Sequence, residues 1–274
     1  METAVIRVSV APVLAARTMN AEQVSQALLG ARASILELSA RWARIRMEDG
    51  YEGWISRAYL GPDLPPAAEW VTMTDLWVNL RTRPDFRMPV RQTAFVGTRL
   101  PLRDRQPGWL GAMLPAGGVG WLEEHRGSVR AAGEQPSSPT PDLLLTTAQR
   151  FLGVPYLWGG CSPWGLDCSG FVQLVYRLHG TVLPRDADQQ AAVGLPVGIE
   201  AECDTAVAPG DAVFFCAAEA RERITHVGLA LGGGEFIHAA GGDRVRINPL
   251  SDAPYAERLV AVRRYLLDGM APGV

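Results

Sequence analysis

Residues 155–176 read PYLWGGCSPWGLDCSGFVQLVY. The stretch changes character at Asp167. Before it, Pro, Gly and Ser interrupt any apolar period, which predicts a loop. After it, CSGFVQLVYRLHG places Phe171, Leu174, Val175 and Leu178 on one face and ends at Gly180, the pattern of a helix with its stop. Cys168 is therefore expected at a helix start. A thiol near pKa ~8.5 holds little thiolate at neutral pH. A helix N-terminus offers unpaired N–H groups and a partial positive charge, both of which favour the anion. That placement suits a nucleophile, although a buried structural cysteine would look the same by itself.

Outward from this helix, DLLLTTAQRFLG upstream puts Leu144, Leu145, Ala148, Phe151 and Leu152 on one helical face. Downstream the chain turns to strands: DAVFFC, ITHVGLAL, EFIHAA and VAVRRYLL. Helices first and strands afterwards predict an α+β domain with an antiparallel sheet. Two histidines, His226 and His238, flank a Gly-rich turn. A hairpin centred on Gly232 sets them directly opposite one another, with Cβ atoms roughly 4.5–5.5 Å apart. His226, Gly228 and Ala230 then share a face, as do Phe236 and His238. One imidazole oriented by another, beside a helix-start cysteine, points to nucleophilic catalysis.

The PYLWGGCSPWGLDCSGFVQLVY stretch, with PGDAVFF, THVGLAL and EFIHA in order behind it, resembles the core of the NlpC/P60 peptidases over about residues 142–268. The resemblance implies a papain-like catalytic core in which Cys168 attacks, His226 is the base and His238 the orienting third residue. It implies that Tyr156 borders the oxyanion region, where the Cys168 N–H also serves. LPRDADQQ, with Arg185 and Gln190, matches a segment this family uses near the cleft. Asp211 in PGD reads as a turn residue, and Cys161, Cys203 and Cys216 read as structural.

The first half repeats. Gly30, Trp42 and Trp54 recur with the same spacing as Gly97, Trp109 and Trp121, and WARIRMEDGYEGWI parallels WLGAMLPAGGVGWL. Short strands between turns predict small all-β units, and these resemble bacterial SH3-like domains with Trp42 and Trp109 in the barrel core. AAGEQPSSPTPD reads as a linker. The fold class expected is thus an α+β papain-like catalytic domain preceded by two small SH3-like barrels. The boundaries are 1–64 and 65–128 for the barrels, 129–141 for the linker and 142–274 for the catalytic domain. This layout resembles the γ-D-glutamyl-L-diamino acid endopeptidases of murein recycling. The resemblance implies a murein-derived substrate, L-Ala-γ-D-Glu-diamino acid with a free amine. That amine would be held by Asp167 with an acid and a phenol from the first barrel, for which Glu22 and Tyr51 are the matches. Ser169 is the candidate for the substrate carboxylate.

Composition fits an ordinary globular protein, with 47% apolar and 20% charged residues. Net charge is −3, with no basic block for nucleic acid. No run approaches the roughly 20 apolar residues of a membrane span. METAVIRVSVAPVL lacks the features of a secretory signal, so a cytoplasmic protein is expected, or an extracellular one if a signal has been removed. The four cysteines form no Cys-x-x-Cys pair, so reduced thiols are expected and neither metal nor other cofactor. Two other classes share these features: a wall-binding SH3-like protein with weak or no hydrolase activity, and an amidase or acyltransferase on another γ-glutamyl or acyl substrate.

Overall fold

The computed structural model describes residues 2–134, 139–198 and 207–266. The chain divides into two compact units, Met1–Gln135 and Pro136–Val274.

In the first unit, β1 (Thr3–Ile6), β2 (Val10–Leu14), β3 (Gln23–Leu28), β4 (Arg32–Leu38), β5 (Trp42–Arg46), β6 (Glu52–Ser56) and β7 (Leu60–Gly61) form one sheet ordered β3-β2-β6-β5-β4-β1-β7. The strands β8 (Glu69–Met73), β9 (Trp77–Arg81), β10 (Val90–Phe95), β11 (Arg99–Gln106), β12 (Trp109–Met113), β13 (Val119–Glu123) and β14 (Gly127–Ala131) repeat the plan as β10-β9-β13-β12-β11-β8-β14. The sheets are joined: Leu29 belongs to the apolar core built by Val71, Leu80, Leu110 and Leu122, and Gln92 Nε2 donates to the Arg7 carbonyl at 3.0 Å. The repeated glycines have a backbone reason. Gly30 and Gly97 hold the same turn at φ 79° and 80°, which side-chain-bearing residues rarely adopt.

Two sequence expectations need correction here. Trp42 is not barrel core, and Trp109, although buried, lies outside the apolar cluster of its sheet. Along β5 the inward positions are Ala43 and Ile45, and along β12 they are Leu110 and Ala112. With a period of two, the tryptophans fall on the outer face. Trp42 is half-buried there, while Trp109 is covered by the Phe86 ring, with centroids 4.9 Å apart. The second sheet also does not end at residue 128. Pairing of β14 with β8 continues to Ala131 opposite Glu69, because backbone bonding outlasts the change in composition.

The second unit opens with α1 (Pro141–Gln149), capped by the Thr140 side chain accepting from the Leu143 N–H. A two-strand pair, β15 (Cys161–Ser162) and β16 (Gly165–Leu166), lies inside the expected loop and is too short to show a period. Then come α2 (Cys168–Leu178), α3 (Ala187–Ala191), β17 (Leu195–Val197), β18 (Ala212–Ala217), β19 (Ala220–Gly232), β20 (Glu235–Ala239), β21 (Val245–Pro249), α4 (Tyr255–Arg258) and β22 (Leu259–Arg264). The sheet runs β17-β22-β18-β19-β20-β21, antiparallel throughout. Helix α2 packs on β19 and β20 and is buried continuously from Cys168 to Tyr176. Leu144, Ala148 and Phe151 bury as expected, but Leu152 lies beyond the end of α1 and is exposed.

The first turn of α2 is pressed against the preceding loop. The Asp167 N–H donates to the Gly160 carbonyl at 3.2 Å, and a Cβ on Gly170 would overlap that same oxygen. Neither partner is the flexible end of a side chain. Gly170→Ala is therefore expected to destabilise the second unit by about 1–3 kcal/mol, the usual cost of overpacking. Thermal unfolding would check this: a midpoint lowered by several degrees is expected, and an unchanged midpoint would contradict the packing described.

Candidate active site

Asp167 sets the geometry at the start of α2. Its Oδ1 accepts from the Gly170 N–H at 2.7 Å, an N-cap, and its Oδ2 accepts from the Gly159 N–H at 2.9 Å. Arg185 closes on the same carboxylate with Nη1 to Oδ1 at 3.1 Å and Nη2 to Oδ2 at 2.6 Å. Arg185 is only 1% exposed, so this is a buried, two-pronged ion pair. The Ser169 hydroxyl lies within the same network, accepting from Arg185 Nη1 at 2.9 Å and donating to Asp167 Oδ1 at 3.3 Å. Gln190 adds a clamp, its Nε2 donating to the Ser169 carbonyl at 3.0 Å. Cys168 is thus carried by a helix start whose backbone is held from several sides.

The thiol of Cys168 faces the N–H groups of Ser169 and Val227. Val227 follows His226 on β19, so the strand that carries His226 is the one against the sulfur. The register of the β19–β20 hairpin differs from the expected one. Leu229 pairs with Ile237 and Ala230 with Phe236, and an irregularity follows before Gly232 pairs with Glu235. His238 accordingly lies level with Gly228, and His226 is its diagonal neighbour. The displacement is an even number of residues, so both rings stay on one face. A diagonal pair is within reach of ring side chains, and His226 Nε2 lies 2.8 Å from His238 Nδ1. Gly228 makes the room, since a Cβ there would come within 2.6 Å of the Phe236 ring. His238 is fully buried, stacked on Phe236 at 4.5 Å and roofed by Tyr255 at 5.2 Å.

The electrostatics describe a neutral resting site. Burial, then the Asp167 charge, pushes the Cys168 thiol up to about 12, against the pull of the Val227 and Ser169 N–H groups and Arg185. Burial, then His238, pushes His226 down to about 3. Burial also pushes His238 down to about 4, with the Asn248 hydrogen bond acting the other way. The expected helix-start lowering of the thiol is therefore present but outweighed by desolvation. Tyr156 stands in the same field, its phenol pushed up to about 12 by burial and by Cys168 and Asp167, so it stays a proton donor.

The structure brings together Cys168, His226, His238, Tyr156, Asp167 and Ser169 in the second unit. Asp167 and Ser169, expected to face the substrate, are both also engaged with Arg185. Glu22 and Tyr51 lie in the first unit, just before β3 and β6, strands that run the same way on either side of β2. They therefore occupy the same end of the sheet; the Tyr51 N–H donates to Asp49 Oδ1 at 2.9 Å. Cys161 and Cys216 are buried thiols, and Cys203 lies outside the described residues. Asp211 accepts an ion pair from Arg264 at 2.8 Å besides turning the chain. Sequence reasoning gave Arg185 too little weight and missed Asn248 and Tyr255. An arginine in a segment expected near the cleft was a usable signal, whereas Asn248 and Tyr255 carry none without the fold. Among the described residues, no group of three or more His, Cys, Asp or Glu side chains is placed to hold a metal, and no helix is long and apolar enough to cross a membrane.

Residues 153–264 match the model of the NlpC/P60 family, and residues 14–60 match the bacterial dipeptidyl-peptidase Sh3 domain. A γ-D-glutamyl-L-lysine dipeptidyl-peptidase of Bacillus cereus is 31% identical over 255 residues, covering 88% of this chain and 75% of the relative. Dipeptidyl-peptidase 6 of Lysinibacillus sphaericus is 27% identical over 270 residues, with 91% and 92% covered. The crystal structure of an NlpC/P60 family protein from Bacillus cereus superposes with a TM-score of 0.84 at 26% identity, covering 97% of this chain and 100% of the other. With its all-β SH3-like sheets, its antiparallel α+β unit and Cys168 at the start of α2, the chain belongs to the NlpC/P60 family of cysteine peptidases.

Proposed function

We propose that this protein hydrolyses the bond between γ-D-Glu and the diamino acid in short murein peptides that keep a free N-terminal L-Ala, through a thioester on Cys168. The observation that carries the reading is the 2.8 Å pairing of His226 Nε2 with His238 Nδ1 on the strand pair that abuts the Cys168 thiol. The similarity to a γ-D-glutamyl-L-lysine dipeptidyl-peptidase along most of both chains supports the choice of bond.

The chemistry follows from the neutral site. His226 uses Nε2 toward His238, which leaves Nδ1 to take the Cys168 proton. As the proton moves, the sulfur attacks the γ-carbonyl carbon of D-Glu, and the carbonyl oxygen becomes an oxyanion. The Cys168 N–H at the helix start and the Tyr156 phenol are the candidate donors to it. Collapse breaks the C–N bond, and the imidazolium returns the proton to the leaving amine of the diamino acid. Water then attacks the thioester carbonyl and gives a proton to His226. The thiol departs with that proton, releasing L-Ala-γ-D-Glu. Asp167 holds the helix start and Arg185, and its carboxylate is the proposed partner of the free L-Ala amine.

Hydrolysis of L-Ala-γ-D-Glu-L-Lys, followed by mass spectrometry, tests the assignment. Wild-type protein should release L-Ala-γ-D-Glu and lysine, and Cys168→Ala should release neither. An N-acetylated peptide should lose about 100-fold in kcat/KM, since loss of a buried charge pair is worth a few kcal/mol. Turnover by Cys168→Ala would overturn the nucleophile, and equal rates on both peptides would overturn the free-amine preference.

His226→Ala should be more damaging than His238→Ala, because one ring moves the proton and the other orients it. The pH dependence follows from the same burial. Both imidazoles are held below the ordinary value of 6.5, at about 3 and about 4. In that window the unfolded chain binds more protons than the folded one. The stabilisation from the neutral pair is therefore complete above 6.5 and is lost as pH falls toward 3. The acid limb of kcat/KM should lie nearer pH 4 than 6.5, whereas the thermal midpoint should begin to fall below pH 6.5 and keep falling toward pH 4. An acid limb at 6.5 would contradict the burial described.

A further inference from the structure

The hydrogen-bond chain does not stop at His238. On β21, Phe236 pairs with Asn248 and His238 with Arg246, so Asn248 is the diagonal neighbour of His238. His238 Nε2 lies 3.1 Å from Asn248 Oδ1, and Asn248 Nδ2 points at Asp252 Oδ2, 3.4 Å away.

We propose that Asn248, turned by Asp252, is a positioning residue that sets the tautomer of both histidines; the inference rests on His226 acting as the base. Each link allows one proton placement. A carboxylate facing an amide accepts and does not donate, so Asp252 draws the NH₂ group of Asn248 toward itself. The amide oxygen then faces His238, whose Nε2 must carry a hydrogen to pair with it. A neutral imidazole has one N–H, so His238 Nδ1 is bare. It can only accept from His226 Nε2–H, and His226 Nδ1 is left with its lone pair for the Cys168 proton. With the Asn248 amide reversed, Nδ2 would donate to His238 Nε2. His238 would then carry its proton on Nδ1, and His226 on Nδ1 as well, which removes the base. Asp252 lies four residues along from Asn248 and is thereby linked to the sulfur through three side chains.

The surroundings enclose the His238 ring. His238 is fully buried between the Phe236 ring and Tyr255, and the Tyr255 hydroxyl is engaged by Arg246, which also pairs with Asp243 at 3.1 Å. His238 itself is thus shut off from water, whereas Asn248 is half-buried and Asp252 is exposed. In metal sites, the partners that orient a ligating imidazole commonly contribute 10- to 100-fold to affinity or activity, and an effect of about that order is expected for the partner of this imidazole pair.

The test combines ¹⁵N-histidine NMR of the resting protein with steady-state kinetics on L-Ala-γ-D-Glu-L-Lys. In wild type, His226 and His238 should each show one tautomer with the proton on Nε2; removal of His125 and His179 by substitution simplifies the assignment. Asn248→Leu should give His238 as a mixture of tautomers and lower kcat by about 10- to 100-fold with KM little changed. Asn248→Asp keeps an acceptor, so His238 should retain its single tautomer and kcat should recover to within several-fold of wild type. Its added negative charge should move the acid limb of the rate profile to higher pH. Asp252→Asn, which removes the acceptor-only partner without touching the β21 strand, should give an intermediate mixture even if Asn248→Leu does not fold. A proton on His238 Nδ1 in wild type would overturn the inference, as would wild-type kcat and an unchanged tautomer in Asn248→Leu and Asp252→Asn. Because the spectra need no turnover, failure here is distinguishable from failure of Cys168→Ala to abolish activity, which would overturn the catalytic reading instead.

Discussion

The site depends on a single carboxylate. Asp167 caps α2, holds the Gly159 N–H of the preceding loop and takes both prongs of the buried Arg185. Burying two charges is costly, and the cost is met only where their remaining donors and acceptors are also satisfied. Here Ser169 and the backbone supply those partners, so the ion pair specifies one arrangement of the helix start. Cys168 is the next residue, and its position is a consequence. An ion pair like this adds little net stability compared with an apolar cluster of the same size; what it gives is geometry.

Opposite the helix, the sheet provides the second half. His226 reaches the thiol side because β19 runs past α2, and β20 can bring Phe236 and His238 against β19 because Gly228 has no side chain to meet the Phe236 ring and the His238 Cβ. The surroundings of both rings are apolar, and the thiol is desolvated too. Neither the thiol nor the imidazole pair holds charge at rest. In the proposed reaction, proton transfer would therefore accompany bond formation at the carbonyl rather than precede it. The charges that appear then do so in a dry site beside fixed N–H groups, where such groups are worth far more than in water.

Much of this was legible in the sequence, for reasons that differ by residue. Cys168 at a helix start follows from a local apolar period and its abrupt beginning. The facing histidines follow from the two-residue period of strands, and that survived an incorrect hairpin centre because the error was even. The irregularity between Ala230 and Gly232 that shifted the register leaves no mark that a Gly-rich turn would not also leave. The tryptophan repeat correctly indicated two similar β units, yet it misplaced Trp42. Repetition reports that a residue matters to a unit, while alternation with Ala43, Ile45, Leu110 and Ala112 decides which face it takes. Arg185, Asn248 and Tyr255 were underweighted or missed because their partners are distant in sequence. A polar residue on a short strand such as β21 has no period of its own, and only the fold reveals what it faces.

The central claim is that the reaction passes through a covalent bond to Cys168. Acid quench of wild-type protein within the first turnovers on L-Ala-γ-D-Glu-L-Lys, followed by intact-mass and peptide mapping, measures this most directly. The account predicts an added L-Ala-γ-D-Glu acyl group, minus water, on the peptide that contains Cys168, and its absence in Cys168→Ala. An acyl group on another residue, or turnover with no acyl group trapped and Cys168→Ala still active, would contradict it.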